Sequence, residues 1–175
     1  MLKKSIKIFS GLAIITFISL DLLEVKTFDA LSYATTIAGL SAVLYDRILW
    51  RYNPFDKTPR LFGVYDSECL STHDNGTLYK SIIVIRQTLS TISIVETIDN
   101  TCNESITATL HRHTPDGPWF LYFTYLTHPM PSSSDDMHYG SAILYVRNSG
   151  LLEGTYFTNR KEQTAGAMVL KKIDS

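Results

Sequence analysis

Among the residues able to do chemistry, His111 and His113 stand out first. Separated only by Arg112, they put two imidazoles on one face of an extended segment, a spacing that metal ions sometimes bridge. No third ligand follows at a fixed spacing, and no metal site is expected. Asp135-Asp136 falls in a Ser-rich stretch where carboxylates are solvated by default. Cys69 and Cys102 are the only cysteines; neither belongs to a CxxC pair or has a neighbouring His motif. There is no G-x-S-x-G and no phosphate-cradling glycine loop. No catalytic residue emerges, and the chain is read as a non-enzyme.

Recognition of an anionic, aromatic ligand suits the sequence better. Tyr65, Tyr79, Arg86, Arg112, Tyr145, Arg147, Tyr156 and Arg160 lie near the ends of extended segments. Guanidinium forks pair with phosphate, and aromatic faces stack bases at roughly 1–3 kcal/mol each. Thr158 and Asn159 carry groups that hydrogen-bond base edges. A long nucleic acid is a poor candidate. Up to Asn53 there are six Lys/Arg and four Asp/Glu, but from Pro54 onward there are ten against thirteen. That half lacks the basic stripe that a DNA or RNA polymer requires.

The elements that must hold these residues are strands. From Leu61 the helical period disappears, and eight runs rich in Ile, Val, Thr, Tyr and Phe follow, near 61–71, 77–87, 90–98, 103–113, 118–127, 138–147, 151–158 and 164–173. Turn chemistry separates them: Asp74-Asn75-Gly76, Asp99-Asn100, Pro115-Asp116-Gly117-Pro118, the Ser/Asp/Pro stretch 129–136 and Asn148-Ser149-Gly150. Short connections favour antiparallel neighbours. Eight such strands most simply close into an up-and-down barrel, which leaves no edge; a sandwich is the second choice. Alternation puts Tyr79, Ser81, Ile83 and Ile85 on one face, and likewise Gly154, Tyr156 and Thr158. Ile143, Tyr145 and Arg147 share a face opposite Ala142, Leu144 and Val146. Several strands are polar on neither face, so the inward side stays open.

Residues 1–52 read differently. Lys3, Lys4 and Lys7 precede an uncharged run, Ile8–Leu20, and a second run, Ala30–Tyr45, follows it closely. Extended to about 6–25 and 28–50, both reach the ~20 residues that span a bilayer. Asp21, Glu24, Asp46, Arg47 and Trp50 would then sit at the interfaces. The positive charges outside the connecting turn place both termini, and the barrel, in the cytoplasm of a multi-pass inner-membrane protein. Cytoplasmic thiols would stay reduced. Ala34, Ala38 and Ala42 form a small-residue ridge for close helix approach. Residues 53–60, stiffened by Pro54 and Pro59, link this hairpin to a ligand-sensing domain at 61–175.

The entry Trp50–Tyr65, "WRYNPFDKTPRLFGVY", and the closing Leu152–Gly166, "LEGTYFTNRKEQTAG", together resemble the two-transmembrane, β-strand-rich effectors of bacterial cyclic-oligonucleotide antiphage signalling (CBASS). The resemblance implies a minimal eight-stranded barrel that binds a cyclic dinucleotide second messenger. It further implies homo-oligomerisation, clustering of the helices, disruption of the inner-membrane lipid bilayer and death of the infected cell. No cofactor is implied beyond the cyclic dinucleotide as activating ligand. Tyr79, Arg147, Tyr156, Thr158 and Arg160 are the expected contacts. Arg147 would meet phosphate, Tyr79 or Tyr156 would stack a base, and Thr158 would hydrogen-bond one. The alternative is a membrane-anchored, lipocalin-like binder of an apolar small molecule. Gly63-Val64-Tyr65 then carries Tyr where lipocalins usually place Trp.

Overall fold

The structure, a computed structural model, describes residues 2–72, 76–98, 101–129, 136–160 and 163–173. Asp74-Asn75, Asp99-Asn100 and residues 130–135 of the long loop, Asp135 among them, lie outside the described residues. There are two compact units: Met1–Lys57 with Thr88–Ser90, and Thr58–Gln87 with Thr91–Ser175.

The first unit holds α1 (Leu2–Leu22), α2 (Thr27–Arg47) and a short 3-10 helix (Leu49–Tyr52). Ala30, Ala34 and Ala38 are the buried residues of α2, which packs on α1. The small-residue ridge therefore exists, but its buried part begins at Ala30, and Ala42 is only half-buried. Other positions expose large apolar side chains, including Ile14, Ile15, Ile18, Leu31, Ile37 and Leu40. Hydroxyls along the helices bond back to their own backbone: Ser19 Oγ donates to the Ile15 carbonyl (2.9 Å) and Thr36 Oγ1 to that of Ser32 (2.9 Å). Among the described residues no helix is long and apolar enough to cross a membrane. Asp29, Ser32, Thr35, Thr36 and Ser41 dilute the apolar run of α2, and the helices end at Leu22 and Arg47.

The second unit is a closed barrel of eight antiparallel strands: β1 (Gly63–Ser71), β2 (Leu78–Gln87), β3 (Ile92–Ile98), β4 (Thr101–His111), β5 (Trp119–Pro129), β6 (His138–Asn148), β7 (Leu151–Thr158) and β8 (Ala165–Lys172). Each strand pairs with its sequence neighbour, and β8 returns to β1 from Tyr65↔Lys172 to Ser71↔Gly166. That closure satisfies the last two edges, and it rules out the sandwich.

Alternation then sorts the side chains. In β2 Ser81, Ile83, Ile85 and Gln87 are buried, between exposed Lys80, Ile82 and Arg86. In β6 Ala142, Leu144 and Val146 turn inward, and Ile143, Tyr145 and Arg147 outward. Register shifts at Ser105/Thr107 and Val146/Asn148 absorb the strand curvature.

The up-and-down order gives the barrel two different ends. One, the base, receives the chain at Gly63 and carries the β2–β3, β4–β5 and β6–β7 turns. It is filled by Tyr65, Ile83, Leu121, Leu144, Leu152 and Leu170, all essentially inaccessible. The Tyr65 hydroxyl lies 2.9 Å from the carbonyls of both Leu61 and Ser149, with one proton to share between them. Burial pushes its pKa up to about 12. Gln87 holds the entering chain: its Oε1 accepts from the Leu61 amide (2.6 Å) and its Nε2 donates to the Pro59 carbonyl (2.9 Å). Replacing Leu121 by Ala in this packed base should cost about 2–5 kcal/mol, read as a lower denaturant midpoint with an unchanged slope.

Candidate functional site

At the other end, the mouth, the interior changes chemistry. The inward positions of β1 there are Ser67, Cys69 and Ser71, and β2 contributes Tyr79 and Ser81. Glu96 follows from β3, Asn103 from β4, Tyr125 and Thr127 from β5, and His138 from β6. β7 adds Tyr156 and Thr158, and Arg160 follows two residues later. Glycines on the inward face make room for rings: a Cβ at Gly140 would land on the Tyr125 ring, and one at Gly166 on Tyr156 and the Leu70 carbonyl.

Two hydrogen-bonded runs line the mouth, and their directions can be worked out. Arg160 Nε donates to His138 Nε2 at 3.0 Å. A guanidinium has no lone pair to offer, so Nε2 is the acceptor. His138 is then neutral with its proton on Nδ1, which donates to the Asp136 carbonyl at 2.9 Å. Thr127 Oγ1 lies 3.2 Å from that occupied Nε2, and its single proton goes to Asn103 Oδ1 at 2.7 Å. Asn103 must then turn its amide outward from this contact, and Nδ2 donates to Glu96 Oε2 at 2.8 Å. Ser81 Oγ donates to Glu96 Oε1 at 2.6 Å. Both carboxylate oxygens are acceptors, and the second run ends there.

Glu96 is 4% exposed. Desolvation holds its pKa above the ordinary glutamate value, with the Ser81 and Asn103 hydrogen bonds opposing the shift. Its neighbours respond to the same environment. Burial and then the Glu96 charge push the Cys69 thiol up to about 12. Tyr125 is raised by burial first and Glu96 second. Burial raises Tyr156 as well, against a hydrogen bond with the Ser71 side chain. Cys69 and Cys102 are free thiols.

Tyr79, Tyr156, Thr158 and Arg160 are thus brought to one end of the barrel. Thr158 is buried, with its Oγ1 2.7 Å from that of Thr164. Arg147 is not with them. It lies on the outer surface at the base, where its Nε pairs with Glu153 Oε2 at 2.9 Å and its guanidinium covers the Tyr145 ring at 4.4 Å. His111 and His113 are also outside, ring against ring at 5.2 Å, with His113 Nε2 3.0 Å from the Tyr122 hydroxyl. Among the described residues no group of His, Cys, Asp or Glu side chains could hold a metal ion.

Glu96, Asn103, Thr127 and His138 escaped the sequence reading. Parity carried a signal for one of them, since Glu96 falls in phase with Ile92 and Ile94 on β3.

A small closed barrel, apolar at one end and polar and titratable at the other, is the frame of a small-ligand receptor. The family model described as "Cap15, cyclic dinucleotide receptor domain" matches residues 56–172, which span the whole barrel. The chain belongs to this family, and with it to the CBASS effectors that Trp50–Tyr65 and Leu152–Gly166 resemble. A relative, the CD-NTase-associated protein 15 of Staphylococcus schleiferi, is 27% identical over 165 residues, covering 91% of this chain and 88% of its own.

Because Glu96 binds its proton more tightly when folded, the native state holds more protons than the unfolded chain between the ordinary glutamate value and the raised one. Stability therefore falls as pH rises through that window. Glu96→Gln should abolish this part of the slope, so that its melting temperature gains on the wild type as pH rises above the ordinary glutamate value. Parallel melting curves above that value would refute it.

Proposed function

We propose that this protein is a membrane-anchored sensor that binds a cyclic dinucleotide at the barrel mouth and answers by assembling and breaching the inner membrane. The observation that carries the ligand site is the division of the barrel interior. The polar half gathers Tyr79, Tyr156, Thr158 and Arg160 around a mouth, in a member of a cyclic dinucleotide receptor family. Arg160 meets a phosphate, Tyr79 or Tyr156 stacks a base, and Thr158 hydrogen-bonds one. Arg147, paired with Glu153 at the base, has no part in this site.

The two helices form the anchor as a paired hairpin. Support comes from their exposed Ile and Leu side chains, their internally bonded hydroxyls and the Lys and Arg flanks that keep both termini cytoplasmic. Polar groups satisfied within a helix lower its insertion cost, which individual hydropathy does not register. Ligand drives assembly only through tighter binding to the assembled state than to the resting one. Gln87 fastens Pro59, near the end of the linker, and Leu61, the first residue of the sensing domain, to the barrel.

The test is full-length protein reconstituted in dye-loaded vesicles and titrated with a panel of cyclic dinucleotides. One member should raise the melting temperature, enlarge the protein species and release dye. Arg160→Ala or Tyr156→Ala should weaken binding about tenfold or more, while Arg147→Ala leaves it unchanged. Stabilisation by apolar compounds, with no response to the panel, would instead select the lipocalin-like binder.

A further inference from the structure

The mouth ends inward on a carboxylate, and a carboxylate discriminates between bases. We propose that Glu96 reads a base edge of the bound cyclic dinucleotide and selects guanine. This rests on the cyclic dinucleotide reading above and deepens it from a ligand class to a base.

The argument begins with acceptor capacity. An ionised carboxylate offers about four lone-pair positions. Ser81 occupies one on Oε1 and Asn103 one on Oε2. An ionised carboxylate only accepts, so both contacts are incoming, and Glu96 has acceptor capacity left and no donor to give. A buried carboxylate with unfilled acceptor positions gains most from a neutral partner bringing N–H groups, which satisfies it without desolvating a second charge.

The bases differ sharply in what they bring. Guanine presents N1–H and the N2 amino group side by side, two parallel donors matching the two oxygens of a carboxylate. Adenine and cytosine present an amino group beside a bare ring nitrogen, whose lone pair would face an oxygen of Glu96. Uracil presents one N–H between two carbonyls, both repelled by the carboxylate. A mismatch of this kind leaves buried polar groups facing one another unpaired, which is where selectivity in a hydrogen-bonded pocket originates.

The surroundings suit this edge. Tyr125 and Tyr156 turn inward at the same end of the barrel as Glu96. Gly140 and Gly166 leave the space those rings occupy. An edge pointed at Glu96 with its face along a tyrosine meets both requirements of base recognition.

Binding of full-length protein to cyclic di-GMP, cyclic GMP–AMP, cyclic di-AMP and cyclic di-UMP, together with an inosine analogue of the best guanine ligand, tests the assignment. A guanine-containing ligand should bind tightest. Removing the N2 amino group in the inosine analogue should weaken it about tenfold. Glu96→Gln should weaken guanine ligands by a similar factor or more and change the others less than about twofold. A tightest ligand without guanine, or an inosine analogue that binds equally well, overturns the base assignment while leaving the sensor reading intact. Equal loss of every ligand in Glu96→Gln also overturns it, since that outcome makes Glu96 structural. If no member of the panel binds the wild type, the sensor reading itself falls. The inosine comparison uses only wild-type protein and decides the question even if Glu96→Gln fails to fold.

Discussion

Everything in the larger unit follows from one pairing, β8 against β1. Eight consecutive antiparallel strands could remain an open sheet with two exposed edges, or fold into two facing layers. Once Tyr65–Ser71 hydrogen-bonds to Gly166–Lys172, neither option is left and an enclosed interior exists. A closed barrel of this size requires its interior to be filled by its own side chains or by one small ligand. That requirement turns the alternation along each strand into a rule about chemistry: whatever falls inward is shut away from water and must be either apolar or satisfied. At the base it is apolar. At the mouth it is satisfied, by a chain of donors aligned toward one acid.

The alignment is set from two sides. Arg160 can only donate, which fixes the His138 tautomer. The Glu96 carboxylate only accepts, which fixes the Asn103 amide and, through it, the Thr127 proton.

Much of the barrel was legible in the sequence, because turns such as Asn148-Ser149-Gly150 and the β-branched runs between them are local signals. The strand at 103–113 lies two residues earlier, at Thr101–His111, since Thr101 still pairs with Ile98. The inward face was not legible where outward positions are also apolar, as with Leu78, Ile82 and Val84 on β2. Closure decides that, and closure is non-local. Of the expected contacts, Tyr156, Thr158 and Arg160 follow one another on a single strand and its exit, and they fall together. Arg147 precedes the whole of β7, and a strand's length of chain carries it to the opposite end. The acid at Glu96 was visible as a break in an isoleucine phase, yet a search for linear spacings passes over it.

The alanine ridge of α2 has a further consequence. Ala30, Ala34 and Ala38 offer a close approach to another helix, and within one molecule that approach is already taken by α1. A neighbouring copy reaching for the same ridge must displace a resident helix. The alternative is to pack against the large side chains left outside. Contact between copies is in the first case an exchange and in the second an addition. The two leave opposite signatures: an exchange liberates α1, whereas an addition leaves each hairpin whole.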